Sequence, residues 1–216
     1  MRSNRLAIRS TGFLLACLAL SAGGCALLYQ TIVGDGPMVD PLFDGLAGKK
    51  VAVVCVVNSG SYGMESVAEP TAEQVGRYLQ QHIEGIEVVR ASEVADWIDN
   101  NNWDQGDFVE VGRGVGADMV VAIEIESFRL YDGQTLFKGQ TTFGVRVIDV
   151  EQDHEVWRPP VTNFAFPKGH GVSTTDHTEP GFRRLFIQQL AHHIARMFYK
   201  HPLAEEFAID AAAHAH

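Results

Sequence analysis

Seven consecutive apolar residues, Val51-Ala52-Val53-Val54-Cys55-Val56-Val57, constrain the fold more than any other feature of the chain. Most are β-branched, stiff at χ1 and suited to a pleated surface. A strand turns alternate side chains to opposite faces, so a run with no polar position reads as buried on both. The pattern predicts a strand from about Lys50 to Val57. After the loop Asn58-Ser59-Gly60-Ser61-Tyr62-Gly63 and Glu69-Pro70-Thr71, the spacing of Val75, Tyr78, Leu79 and Ile83 predicts a helix.

Beyond it, Ile86 to Val89 reads as a short strand. Ser92 is a candidate cap for a helix whose stripe is Val94, Trp97 and Ile98. Asp107 to Gly116 predicts a further helix, and Met119 to Tyr131 the longest strand, turned at Asp132-Gly133. Phe137 to Val150 and Glu155 to Phe166 complete an antiparallel meander. A closing helix spans about Glu179 to His201, its stripe made by Phe182, Leu185, Phe186, Leu190, Ile194, Met197 and Phe198, with Pro202 ending it. The fold class is therefore α/β: a single-domain α/β sandwich with one mixed sheet, helices on at least one face, a C-terminal antiparallel meander and a closing C-terminal helix.

The first residues are an address rather than part of this domain. Arg2, Arg5 and Arg9 form a basic segment, Gly12 to Leu20 an apolar run too short to span a bilayer, and Ser21-Ala22-Gly23-Gly24 a small-residue stretch before Cys25. These residues resemble the lipobox of bacterial lipoproteins, with Ala22 in the position three before the cysteine where leucine is usual. The resemblance implies a signal peptide over 1–24 and cleavage before Cys25. It also implies a diacylglycerol thioether on Cys25 and an acyl chain such as palmitate on its new amine. Ala26 after the cysteine favours the outer membrane, facing the periplasm. Residues 25–48 are expected to be the lipidated cysteine and a tether, 49–201 the domain, and 202–216 a flexible or loosely helical tail.

Charge and cysteine content agree with that address. The 216 residues carry a formal charge of −10. Loss of the signal leaves 14 basic against 27 acidic residues, a charge of −13. Phosphate neutralisation needs clustered Lys and Arg, so nucleic acid is excluded as a partner. The 46% apolar and 20% charged content argues against disorder. Of three cysteines, Cys17 leaves with the signal and Cys25 becomes a thioether. Cys55 is then a lone thiol, expected to be a small buried apolar residue.

The stretch Gly112-Arg113-Gly114-Val115-Gly116-Ala117-Asp118-Met119-Val120-Val121-Ala122, the strand Val147-Ile148-Asp149-Val150 with Trp157 beyond its turn, and the opening Lys49 to Val54 resemble a periplasmic group. It comprises the TolB amino-terminal domain, the curli secretion channel subunit and the lipoprotein activators of peptidoglycan synthases. The resemblance covers about residues 49–200. The likeness is strongest to envelope lipoproteins with a closing helix ending like Phe198 to His201. None of these relatives is an enzyme, and the resemblance implies a binding or assembly role. The partner would be an envelope protein or a peptidoglycan-associated one, or the chain would be a subunit of an export channel like the curli pore.

Candidate sites are few. Gly112, Gly114 and Gly116 follow a helix and precede a strand, the reverse of a dinucleotide loop, and read as a helix stop. Glu124 and Glu126 fall on one face of the long strand, about 7 Å apart, with Arg146 of the next strand as a cross-strand mate. They allow acid–base work in principle, but a partner-facing surface is the expectation. Asn58, Ser59, Ser61 and Tyr62 follow the carboxyl end of a parallel strand, where α/β sheets bind ligands, and also make an ordinary turn. His192 and His193 are adjacent and diverge around the helix. His170 and His177, with Asp176, sit in a polar loop over 168–178 expected to be mobile, and His214 and His216 lie in the tail. No cofactor and no metal is expected. A hydrolase or metal enzyme built on Glu124, Glu126 or the loop histidines is the third reading.

Overall fold

A computed structural model describes residues 36–57, 65–103 and 106–205. The chain divides into two units: 1–38, of which 36–38 are described, and 39–216, which holds the sheet and its helices. In order these are β1 (Lys50–Val57), α1 (Glu65–His82), β2 (Glu87–Val88), α2 (Ala91–Asn100), α3 (Phe108–Gly114), β3 (Met119–Asp132), β4 (Leu136–Asp149), β5 (His154–Trp157), β6 (Thr162–Phe166), β7 (Val172–Ser173) and α4 (Glu179–Ala195).

The sheet runs β2-β1-β3-β4-β5, with β6 and β7 also paired to β4. β1 is parallel to both neighbours, in register from Val51 with Met119 to Val57 with Ile125. β3 and β4 form a long antiparallel hairpin with register shifts between Ile125 and Ser127 and between Arg129 and Tyr131. The other edge of β4 is covered piecewise: β5 pairs Val147 to Asp149, β6 pairs Gly139 to Phe143, and β7 pairs Leu136 and Phe137. The mixed sandwich read from the sequence is thus present, with helices on both faces.

The apolar run of β1 is divided between two cores as its alternation requires. Val51 and Val53 join Val121, Ile123, Ile125, Phe143, Val145 and Val147 under α1 and α4. Ala52 and Val54 join Val120, Ala122, Ile148 and Val150 under α2 and α3. Three glycines allow close approach: a methyl group at Gly112 would overlap Val150 and Val120, at Gly114 the Trp97 ring, and at Gly139 the Phe186 ring. Gly116, at φ +64°, turns the chain from α3 into β3.

Several boundaries differ from expectation, each for a local reason. The segment expected as tether is packed at its end, where Leu46 is fully buried and the Leu42 and Phe43 amides donate to the Met197 carbonyl. α1 begins at Glu65, taking Pro70 into its second turn, and the Thr71 hydroxyl donates to the Val67 carbonyl. α2 begins at Ala91 with Arg90 as its N-cap, so Ser92 lies inside the first turn instead of capping it. α3 is capped by Asp107, which accepts from the Glu110 amide.

The strand expected over Glu155 to Phe166 is broken by Arg158-Pro159-Pro160 into β5 and β6, since proline supplies no ladder donor. α4 ends at Ala195, where Met197 and Phe198 donate to carbonyls three residues back, and this tighter turn buries Met197, Phe198 and Tyr199. The 168–178 loop, expected to be mobile, contains β7 and is pinned by the Lys138 ammonium donating to the Gly169 carbonyl.

Candidate functional site

The two helix layers are unequal. α1 and α4 back the sheet along β3 and β4, whereas the buried cluster under α2 and α3 reaches only Val54, Ala122 and Ile148. Beyond them on the same face lie Glu124 on β3 and Thr142, Gly144 and Arg146 on β4, all half-buried, while Glu126 is exposed. Strand alternation puts polar side chains there because, among the described residues, no third layer removes that stretch from water.

Arg146 stands at the rim of the helix layer. Its guanidinium lies 4.7 Å over the Phe108 ring of α3, and its Nη2 donates to Glu124 Oε1 at 2.9 Å. Its Nη1 is 4.0 Å from Glu155 Oε2, and Arg158 bonds Glu155 through two nitrogens. The Arg158 hydrogen bonds hold the Glu155 carboxyl below its usual range, even after the opposing effect of burial. Arg146 Nε is buried without a partner among the described residues. The four groups alternate in sign, and beside them opens a cleft of about 140 Å³ lined by Glu124, Glu126, Gly144, Arg146, Arg158, Pro159 and Val161. Val161 is 54% exposed, an apolar spot on a charged rim.

Glu124 and Arg146 are therefore in contact, and Glu126 lines the same cleft. Glu126 sits at the bulge between Ile125 and Ser127, outside the β3–β4 ladder. Here Glu124 faces a guanidinium, and an electrostatically matched surface is what the arrangement supplies.

Asn58, Ser59, Ser61 and Tyr62 lie outside the described residues, as do Cys25, His214 and His216. Among the described residues no three His, Cys, Asp or Glu side chains gather to hold a metal ion. Asp176 accepts from the Thr175 hydroxyl within the 168–178 turn. His193 stacks on Phe164 at 4.8 Å, and His192 packs 5.0 Å from Tyr78 on the other side of α4. Burial and the neighbouring Arg196 push His192 down to about 4. Cys55 is half-buried against the larger core, and burial pushes its thiol up. Glu155 and Arg158 were not legible as site residues while Glu155 to Phe166 read as one strand; the Pro159-Pro160 pair was the available signal.

No family model and no curated protein sequence matches the chain. Solved structures similar to it include lipoprotein GNA1162 from Neisseria meningitidis, at 14% identity and TM-score 0.44, covering 68% of this chain and 97% of that one. The PelC dodecamer from Paraburkholderia phytofirmans is similar at 13% identity and TM-score 0.44, covering 76% of this chain and 96% of that one. The LpoB C-terminal domain from Salmonella enterica is similar at 16% identity and TM-score 0.37, covering 57% and 86%. Among the described residues no helix is long and apolar enough to cross a membrane.

Proposed function

We propose that this chain is a non-catalytic, lipid-anchored envelope lipoprotein, a binding or assembly module for another periplasmic or outer-membrane component. Cys25 carries the anchor, at the periplasmic face of the outer membrane. The partner docks on the half of the sheet face that α2 and α3 leave uncovered. One observation carries the reading: Glu124, Arg146, Glu155 and Arg158 form a matched ionic cluster beside an open cleft and an exposed valine. Matched rim charges of this kind fix register and exclude wrong partners.

The anchor is supported by Arg2, Arg5 and Arg9, the apolar run, and the small residues before Cys25. Two or more long chains hold a protein to a bilayer stably, at about 0.8 kcal/mol per buried methylene. Electrostatic attachment to anionic lipid is disfavoured by the acidic charge. A channel-subunit role would need amphipathic strand pairs to spare; β3 and β4, at 14 residues each, are paired with each other within the domain's own sheet.

Two experiments test the reading. Metabolic labelling with a fatty-acid probe should mark the wild type and fail on Cys25→Ser, and label persisting on the variant would end the anchor assignment. A photo-crosslinker at Thr142 should give a discrete adduct in intact cells, lost on Arg146→Glu. No adduct, or one indifferent to that change, would remove the docking surface.

A further inference from the structure

A second cleft, of about 470 Å³, lies between α1 and the connection from β2 to α2. The chain leaves the carboxyl end of β1 for α1 on one face, and the carboxyl end of β2 for α2 on the other. Neighbouring parallel strands whose connections part in this way leave a crevice at their carboxyl ends, where open α/β sheets take ligands. The volume falls within the ordinary range of small-ligand sites.

The lining is divided by chemistry. Val53 of β1, Val88 of β2 and Ala72 of α1 make an apolar floor. Gly76 of α1 belongs to that floor, and a methyl group there would stand 3.0 Å from Val88 Cγ1. Glu69, on the α1 wall, is exposed and makes no ion pair among the described residues. Arg77 is already matched by Glu73 at 3.0 Å. Arg90, on the lining between β2 and α2, has a side chain 83% exposed, with a loose 3.7 Å approach to Glu93. The lining thus offers one unmatched negative charge, one weakly held positive charge, and an apolar floor.

We infer that this crevice binds a small zwitterion with an apolar side chain, an amino acid or short peptide. Its ammonium meets Glu69, its carboxylate meets Arg90, and its side chain rests on Val53, Val88 and Ala72. The site shares no residue with the docking half-face and is independent of the function proposed for it.

The test is an amide NMR titration of the full mature chain with the dipeptide Ala-Leu, its N-acetyl form and its C-terminal amide. Free Ala-Leu should shift the amides of Gly76, Val88, Arg90 and Ser92 saturably. Either blocked form should bind about threefold more weakly. Glu69→Gln should weaken free Ala-Leu by about threefold and leave the N-acetyl form unaffected, and Arg90→Gln should weaken free Ala-Leu likewise and leave the amide unaffected. Both side chains are exposed, so these variants keep the fold. No saturable shift up to about 10 mM, equal binding of free and blocked peptides, or shifts centred elsewhere would each overturn the inference.

Discussion

Replacing Arg146 by alanine removes several contacts of one guanidinium, and their magnitudes can be set against each other. The hydrogen bond to Glu124 at 2.9 Å joins side chains that are 18% and 35% exposed, so about 1.5 kcal/mol, the low end for a charged hydrogen bond, applies. The 4.7 Å approach to the Phe108 ring adds about 0.5–1 kcal/mol. The 4.0 Å approach to Glu155 adds under about 0.5 kcal/mol in solvent. The lost stem methylenes add about 1 kcal/mol, discounted from full burial. Against this, Arg146 Nε is buried without a partner among the described residues, and its removal recovers about 1 kcal/mol.

The net loss is about 2.5 kcal/mol. With an m-value of about 2 kcal/mol/M in urea, the unfolding midpoint should fall by about 1 M. Arg146→Met keeps the stem and should lose about half as much. A double-mutant cycle with Glu124→Gln should return a coupling of about 1 kcal/mol. A midpoint for Arg146→Ala within about 0.2 M of wild type, or a coupling of zero, would refute this account of the cluster.

Other outcomes follow from the packing. His192, held down to about 4 against an ordinary 6.5, stays neutral in the fold while the unfolded chain takes up a proton. Stability should therefore fall as pH drops from about 6.5 to 4, by at most about 3 kcal/mol, and His192→Gln should flatten that slope in pH-resolved urea melts. Gly114→Ala, which drives a methyl group into Trp97, should cost about 2 kcal/mol and alter tryptophan fluorescence. Gly106→Ala, with nothing within 4 Å, should cost no more than about 0.5 kcal/mol. Cys55 should react with a disulfide reagent at pH 8 far more slowly than a free thiol, and reach that rate only in denaturant.

Where a single segment carries the physics, the sequence was readable. The β-branched run of β1 announced burial on both faces because alternation leaves no other place for its side chains. The stripe of α4 and the glycine stop after α3 were equally local. The helix layer over Ala122 and Ile148 was not, because the strand pattern alone does not say how far α2 and α3 extend over the sheet. That extent decides why Ala122 is core and Glu124, two residues on, is surface. The split of β5 from β6 was hidden by a run of strand-like residues around Pro159-Pro160. The partnership of Glu124 with Arg146 was legible from strand spacing. The Glu155–Arg158 addition was not, and neither was the crevice at Val53, Gly76, Val88 and Arg90, which four separate elements assemble.

The central claim is that an anchored domain meets its partner through the uncovered half of the sheet, and photo-crosslinking in intact cells tests it most directly. A probe at Thr142 on that half, compared with one at exposed Arg184 on α4, should give one discrete adduct from Thr142 and none from Arg184. The Thr142 adduct should vanish in the Arg146→Glu background. An adduct from Arg184 alone, or a Thr142 adduct unchanged by Arg146→Glu, would contradict the account.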